Sequence, residues 1–449
     1  MTVHARGPST SGLRIALLGT RGVPARYGGF ETCVEEVGAR LADRGHHVVV
    51  YGAAPPGGGP APREHLRRYR GMELVPLPAV RRRSLETLSR SALGVGHLAV
   101  QHGLRGALAR GGRTDAAVVF NAANAPFLPV LRALGVPTAT HVDGLEWKRA
   151  KWGPAGKRYY RWAEAFAVRH SAALIADAEG IATYYRRRFD ADTTLIRYGA
   201  PIVDGGGDPR RLAELGLEPG GYHLVVARFE PENHVDVIVA GYVASRARKP
   251  LVVVGSAPYS DAHTARIHAL ADERVRLVGG LWDQDLLDQL YAGAATYLHG
   301  HSVGGTNPSL LRAIGAGTAV DAYDVDFNRE VLGPAGTYWS TAAGVTAAVE
   351  AAEADEARVR DRGRASRFRA ANYDWDDVAD GYEDLCLRLA GRPVPARGQS
   401  DASILDLTTD LTVDLAAGDT PGAAAELDLA APGRYEAVQP EPQARWSIR

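Results

Sequence analysis

The sequence predicts an α/β protein made of two halves, each a parallel sheet with helices on both faces. Three observations predict it. Short apolar runs alternate with helical stretches, several runs end in glycine-bearing loops, and a Gly-rich break near the middle is followed by a restart of the same alternation. In the first half, residues 13–19 read as a strand entering a glycine turn. Residues 31–44 read as a helix, with Val34, Val37 and Leu41 at helical spacing and Gly45 as its stop. Strands follow at 48–51, 116–120, 138–141 and 173–176. Residues 198–208 carry three consecutive glycines and break the pattern. Beyond them, strands are expected at 223–227, 251–255, 275–278, 296–299 and 319–322, and a last helix at 376–389. From about Val394 the chain is rich in Ala, Asp, Pro and Gly, and that composition predicts a disordered tail.

Composition narrows the function classes. The 449 residues suit two domains plus extras, and 45% hydrophobic content is that of a globular protein. Lys+Arg and Asp+Glu balance at 52 each, which argues against a general nucleic-acid binder. Two cysteines, Cys33 and Cys386, cannot form a disulfide framework and suit a reducing compartment. The first residues lack the apolar core of a signal peptide, and no apolar run reaches the ~18 residues that span a bilayer. A cytoplasmic protein is expected. Charge is nonetheless uneven. Arg63, Arg67, Arg68, Arg70, Arg81, Arg82, Arg83, Arg90, Arg105, Arg110 and Arg113 crowd one region whose acids are Glu64, Glu73 and Glu86. Residues 84–110 include an amphipathic helical pattern, so an anionic membrane surface on the inner face of the plasma membrane is a candidate partner.

The chemistry is expected in the loops beyond strand ends, where open α/β sheets bind ligands. The stretch 301–317 joins the turn Gly304-Gly305 to a helix start. Pro308 suits the first helical position, and Thr306 or Asn307 can cap the end. The free N–H groups of such an end favour an anion, so a phosphate-bearing ligand is indicated over an ordinary Gly-rich loop. Residues 19–32 hold Gly19, Arg21, Arg26, Gly28 and Gly29 in a loop that is neither a dinucleotide fingerprint nor a P-loop. Arginine forks match phosphate or carboxylate. The loop from His141 carries Asp143, Glu146 and Lys148, groups able to orient hydroxyls. Arg228 follows a strand of the second half. With the helix start near Pro308 it can clamp a diphosphate from two sides. No cluster has the spacing of a structural metal site, and no cofactor is expected.

Three long motifs in order, residues 19–32, 142–149 and 301–311, resemble the retaining GT-B glycosyltransferases of family 4, above all the rhamnosyltransferase-like bacterial branch. The resemblance spans roughly residues 13 to 390 and implies two Rossmann-like domains facing a cleft. The expected divisions are 1–200 on the acceptor side, 201–372 for the nucleotide-sugar donor, a helix at 373–393 crossing back to the first domain, and the tail 394–449. It also implies transfer of a hexose, rhamnose in that branch, from a nucleoside diphosphate sugar to a saccharide or lipid-linked acceptor in cell-surface glycan synthesis. Catalytic roles fall on His141, Asp143 and Arg228, and donor contacts on Arg228, Asn233, Gly304, Gly305, Thr306, Asn307 and Arg312.

The chain departs from the family pattern in three places. Asn233 stands where the family has lysine, and Gly304 and Arg312 stand where it has a pair of glutamates. Arg312 cannot accept hydrogen bonds from ribose hydroxyls. A deoxyribose donor such as a dTDP-sugar, drift within the branch and loss of catalysis are the alternative explanations, with UDP and GDP donors open. Arg21 or Arg26 is expected to compensate at the diphosphate. A non-catalytic sugar-nucleotide binder or assembly partner is the alternative function.

Overall fold

The computed structural model describes residues 12–25, 28–53, 67–80, 86–108, 113–142, 144–203, 209–256 and 261–396. Arg26, Asp143 and the tail from residue 397 lie outside the described residues, as do Arg63, Arg81, Arg82, Arg83 and Arg110 of the basic region.

The first half is an eight-stranded sheet. Its strands are β1 (Arg14–Leu18), β2 (His47–Ala53), β3 (Arg68–Tyr69), β4 (Met72–Leu77), β5 (Ala116–Phe120), β6 (Thr138–His141), β7 (Ala173–Ala176) and β8 (Thr194–Leu195). They lie in the order β3-β4-β2-β1-β5-β6-β7-β8, all parallel except the short β3, which runs antiparallel to β4. All five residues of β5 are buried, because a parallel sheet is covered on both faces. The helices of this half are α1 (Gly29–Asp43), α2 (Glu86–Leu108), α3 (Leu128–Ala133), α4 (Pro154–His170) and α5 (Glu179–Phe189). One face of the sheet packs on α1 through Cys33, Val34, Val37 and Leu41. The other packs on α2, α3 and α4 through Val95, Leu98, Leu128, Leu131 and Ala167.

The second half repeats the plan with β9 (His223–Val226), β10 (Leu251–Val254), β11 (Val275–Gly279), β12 (Thr296–His299), β13 (Ala319–Tyr323) and β14 (Thr337–Trp339). These are all parallel, in the order β11-β10-β9-β12-β13-β14. Its helices are α6 (Pro209–Glu214), α7 (Val235–Val243), α8 (Asp261–Leu270), α9 (Gln284–Gly293), α10 (Pro308–Gly315), α11 (Asp326–Leu332), α12 (Ala342–Ala354) and α13 (Glu356–Ala370). β10 is buried throughout, whereas β11 at the sheet edge exposes Arg276 and Val278. The expected α/β class with two parallel sheets is the observed one.

The last helix, α14 (Trp375–Leu389), starts behind an Asp374 side-chain cap and packs against α1 of the first half. Arg44 holds Asp380 at 2.6 Å and Glu383 at 2.7 Å, and His46 holds Glu383 at 2.9 Å. The Trp375 indole occupies the space that Gly199 leaves by having no side chain. Strand order reverses between β1 and β5 in one sheet and between β9 and β12 in the other. The loops leaving these strands at their carboxyl ends are therefore where a ligand is expected.

Candidate active site

The loops after β6 and β12 meet across the cleft. A Cβ on Gly144 would lie 2.6 Å from the Gly304 carbonyl oxygen, so the approach tolerates only glycine there. Gly304 itself has φ 136°, a conformation L side chains rarely adopt. A Cβ on Gly305 would run into the Asp177 carboxylate, and the Thr306 hydroxyl donates to the Asp177 carbonyl at 2.9 Å. Gly29, in the first turn of α1, sits against Pro308, the first residue of α10. Two helix N-termini thus face each other, and their partial positive charge falls on the same cleft. Asn307 is the cap of α10, accepting from the Ser309 N–H at 2.9 Å and the Ser309 hydroxyl at 2.8 Å.

Arg228 leaves β9 into this cleft. Solvent reaches it, yet protein crowds most of its surroundings. Burial, and then the neighbouring Arg149 guanidinium, pull its pKa below the usual arginine range. No described carboxylate forms an ion pair with it. Arg149, from the loop after β6, is anchored by Glu146 at 2.5 Å and lies 3.8 Å from Glu232 of the second half. Glu146 also takes Lys151 at 2.7 Å and Trp152 Nε1 at 3.2 Å. Burial alone would raise the Glu146 pKa, but Arg149 and Lys151 outweigh it and the net direction is down. Burial, then Arg149, His299 and Arg228, hold His301 well below the normal histidine value and therefore neutral. Two guanidinium groups on opposite halves thus act on one point.

Several expected contacts are placed differently. Arg21 turns toward Glu86, 3.8 Å away at the start of α2, and it is Arg149 that stands beside Arg228. Asn233 is already engaged at both ends. Its Nδ2 donates to the Arg228 carbonyl at 2.8 Å and its Oδ1 pairs with His301 Nδ1 at 2.8 Å, so it sets the two loops rather than offering the charge of a lysine. Arg312 pairs with Asp288 on α9 at 2.8 Å and donates to Gln284 at 2.8 Å. Arg312 is thus engaged by the neighbouring helix α9.

His141, the last residue of β6, is fully buried among Phe30, Phe120, Tyr198 and Tyr382. Burial pushes its pKa down to about 3, and its Nε2 has no hydrogen-bond partner. It is a neutral hydrogen-bonding group, not a charged acid. Nearby Asp177, at the end of β7, has its pKa raised by burial to about 7. Gly19 ends β1 against β5, where Asn124 Nδ2 lies 3.4 Å from its carbonyl, and Gly28 precedes α1. Arg149 and Asp177 were missed in the sequence. Arg149 closes the 142–149 motif, and Asp177 follows a strand with a single glycine, Gly180, and no arginine or paired glycines to mark a binding loop. Among the described residues no group of three or more His, Cys, Asp or Glu is placed to hold a metal.

Comparison with solved structures identifies the fold as GT-B. Sucrose-phosphate synthase from Thermosynechococcus elongatus superposes with a TM-score of 0.70 at 19% identity, covering 84% of this chain and 99% of that one. HepE from Anabaena in complex with UDP-glucose gives 0.64 at 15%, covering 83% and 99%. The UDP-forming α,α-trehalose-phosphate synthase from Burkholderia vietnamiensis gives 0.61 at 14%, covering 84% and 99%. More particularly, residues 28–199 match the glycosyl transferase 4-like domain. No curated protein matches the sequence.

Proposed function

We propose that the protein is a retaining glycosyltransferase that moves a hexose from a nucleoside diphosphate sugar to a hydroxyl of a saccharide or lipid-linked acceptor in surface glycan synthesis. The observation that carries this reading is Arg228, a crowded guanidinium with no carboxylate partner among the described residues, facing Arg149 across the cleft. Glu146 and Glu232 compensate Arg149, whereas Arg228 forms no ion pair with a described carboxylate beside the two helix ends, an arrangement suited to an anion with two phosphates. The glycosyl transferase 4-like match over 28–199 and the UDP-glucose bound by HepE support a sugar nucleotide as that anion.

In the proposed reaction the acceptor oxygen attacks the anomeric carbon on the face from which the diphosphate leaves. The anomeric C–O bond breaks, and the acceptor proton passes to the departing phosphate. Arg228, Arg149 and the α10 N-terminus stabilise the charge developing there. His141 stays neutral through the physiological range, and for its Nε2 to orient a sugar hydroxyl the aromatic rings that bury it must part to admit the sugar. Asp143 is assigned the same task. The glycines at 304 and 305 let the donor loop approach the first half closely enough to exclude water.

The test is incubation of purified protein with UDP-, dTDP- and GDP-sugars, rhamnose and glucose first. Release of nucleoside diphosphate is followed, and the anomeric configuration of any product is determined by NMR. Release with retained configuration supports the proposal. Tight binding without release would support the non-catalytic reading that the acids missing at 304 and 312 favour, and no binding would overturn both.

A further inference from the structure

The layer formed by α2, α3 and α4 presents an outer face that the fold leaves uncovered. Eleven large hydrophobic side chains are exposed among the described residues, and five of them lie in this one layer. Leu93, Val100 and Leu104 stand on α2, Val130 on α3 and Trp162 on α4, each at least 45% exposed. α3 touches both neighbouring helices, so the three share one surface. Every exposed position of α2 with a described side chain is uncharged, namely Ala92, Leu93, Gly96, Val100, Gly103 and Leu104. An outer helix face in water is normally polar.

The charge that flanks this apolar strip is mainly positive. Arg158 and Arg161 are exposed beside Trp162. At the end of the layer, by the amino ends of β5, β6 and β7, a groove of about 850 Å³ is lined by Arg113, Arg132 and Arg169. None of the three forms an ion pair with a described residue. The acid in the lining, Asp115, accepts from the backbone N–H of Arg14 at 2.7 Å and keeps its charge, so three arginines against one carboxylate leave the lining net positive. The groove lies at the opposite end of the strands from the cleft, so it is not part of the donor site.

We propose that the outer face of α2, α3 and α4 docks on an anionic lipid leaflet. Leu93, Val100, Leu104, Val130 and Trp162 enter the boundary between headgroups and acyl chains, and the groove arginines take lipid phosphates. Apolar side chains on a surface helix beside unpaired arginines complement an apolar layer covered by negative charge. A second copy of the same chain would bring like charges together. The inference does not depend on the glycosyl-transfer reading.

The test is flotation of the full chain with vesicles of phosphatidylcholine alone and of phosphatidylcholine with 30% phosphatidylglycerol, a composition of about that order being enough to make a leaflet anionic. Binding is expected to the second only, falling as salt is raised. The triple variants Leu93→Ser/Val100→Ser/Leu104→Ser and Arg113→Ala/Arg132→Ala/Arg169→Ala are each expected to lower the bound fraction roughly tenfold. Trp162 fluorescence in the unmodified protein, with Trp162→Phe as the blank, should be quenched by brominated acyl chains, which tests insertion without relying on the fold of a variant. Equal binding to both vesicles, or no quenching, overturns the proposal. Competition by millimolar glycerol phosphate without vesicle binding would assign the arginines to a free phosphate. Light scattering that shows a dimer lost in the serine variant would assign the face to a second copy.

Discussion

Replacing Arg228 by methionine separates binding charge from structural charge. The side chain makes no ion pair with a described carboxylate, and burial and Arg149 both disfavour its charged form, as the lowered pKa records. Removing it therefore costs the fold little, and the melting temperature should stay within about a degree or rise. The same charge is worth most against a diphosphate. A charge-assisted contact at a site that solvent reaches contributes about 1.5–3 kcal/mol, so affinity for UDP or dTDP should fall roughly 10- to 100-fold, and turnover by at least as much. Arg149→Ala is the control with the opposite balance. It strips one partner from Glu146, which is only 5% exposed, and leaves Lys151 and Trp152 to hold the carboxylate. About 2 kcal/mol of stability and several degrees of melting temperature should be lost along with nucleotide affinity. Calorimetric titration with each nucleotide and thermal denaturation of both variants give the four numbers needed. Unchanged affinity in Arg228→Met, or a melting temperature that falls as far as in Arg149→Ala, would refute the assignment of Arg228 as the diphosphate clamp.

Asp177 predicts a pH effect. Its pKa rises on folding from 3.8 to about 7, so the folded state holds the proton more tightly, and this contribution to stability is full below pH 3.8 and lost as pH rises through 7. The cost at pH 8 is on the order of 4 kcal/mol, so Asp177→Asn should be more stable than the parent there and its stability should vary less between pH 4 and 7; equal denaturation curves at pH 8 would count against the buried carboxylate. Gly144→Ala puts a methyl group on the Gly304 backbone and should hold the two loops apart, at a cost of about 1–3 kcal/mol and with turnover reduced tenfold or more in steady-state kinetics; wild-type kinetics would mean the loops do not close on the donor. Arg312→Glu should be less stable than Arg312→Ala by about 1 kcal/mol, because the new carboxylate would face Asp288, and thermal denaturation ranks the two. The ratio of UDP to dTDP affinity in the parent protein tests the deoxyribose preference, and a ratio near one removes it.

The sequence by itself determined the architecture and the loops where the chemistry was to be sought. Burial on both faces makes the strands of a parallel sheet into short apolar runs, a property of consecutive residues, and so β1, β5, β6, β7, β9, β10 and β12 were legible. The same holds for the start of α10, since Asn307 and Pro308 act on their own helix end. Short edge strands were not legible: β3, β8 and β14 have two or three residues each, too few for a period. What only the tertiary structure decided is which distant residues share a point in space. Arg149 meets the field of Arg228 from 79 positions away (228 less 149), Arg312 finds Asp288 on another helix, and Gly144 lies on Gly304 across the cleft. Charge acts through distance and dielectric, not through sequence separation, so the sequence pointed to Arg21 or Arg26, and only the placement of the loops brought Arg149 to Arg228. The outer face of α2 has the same origin. Leu93 and Val100 are apolar letters like Val95 and Leu98, and only packing against the sheet decides which pair is core and which is left facing outward.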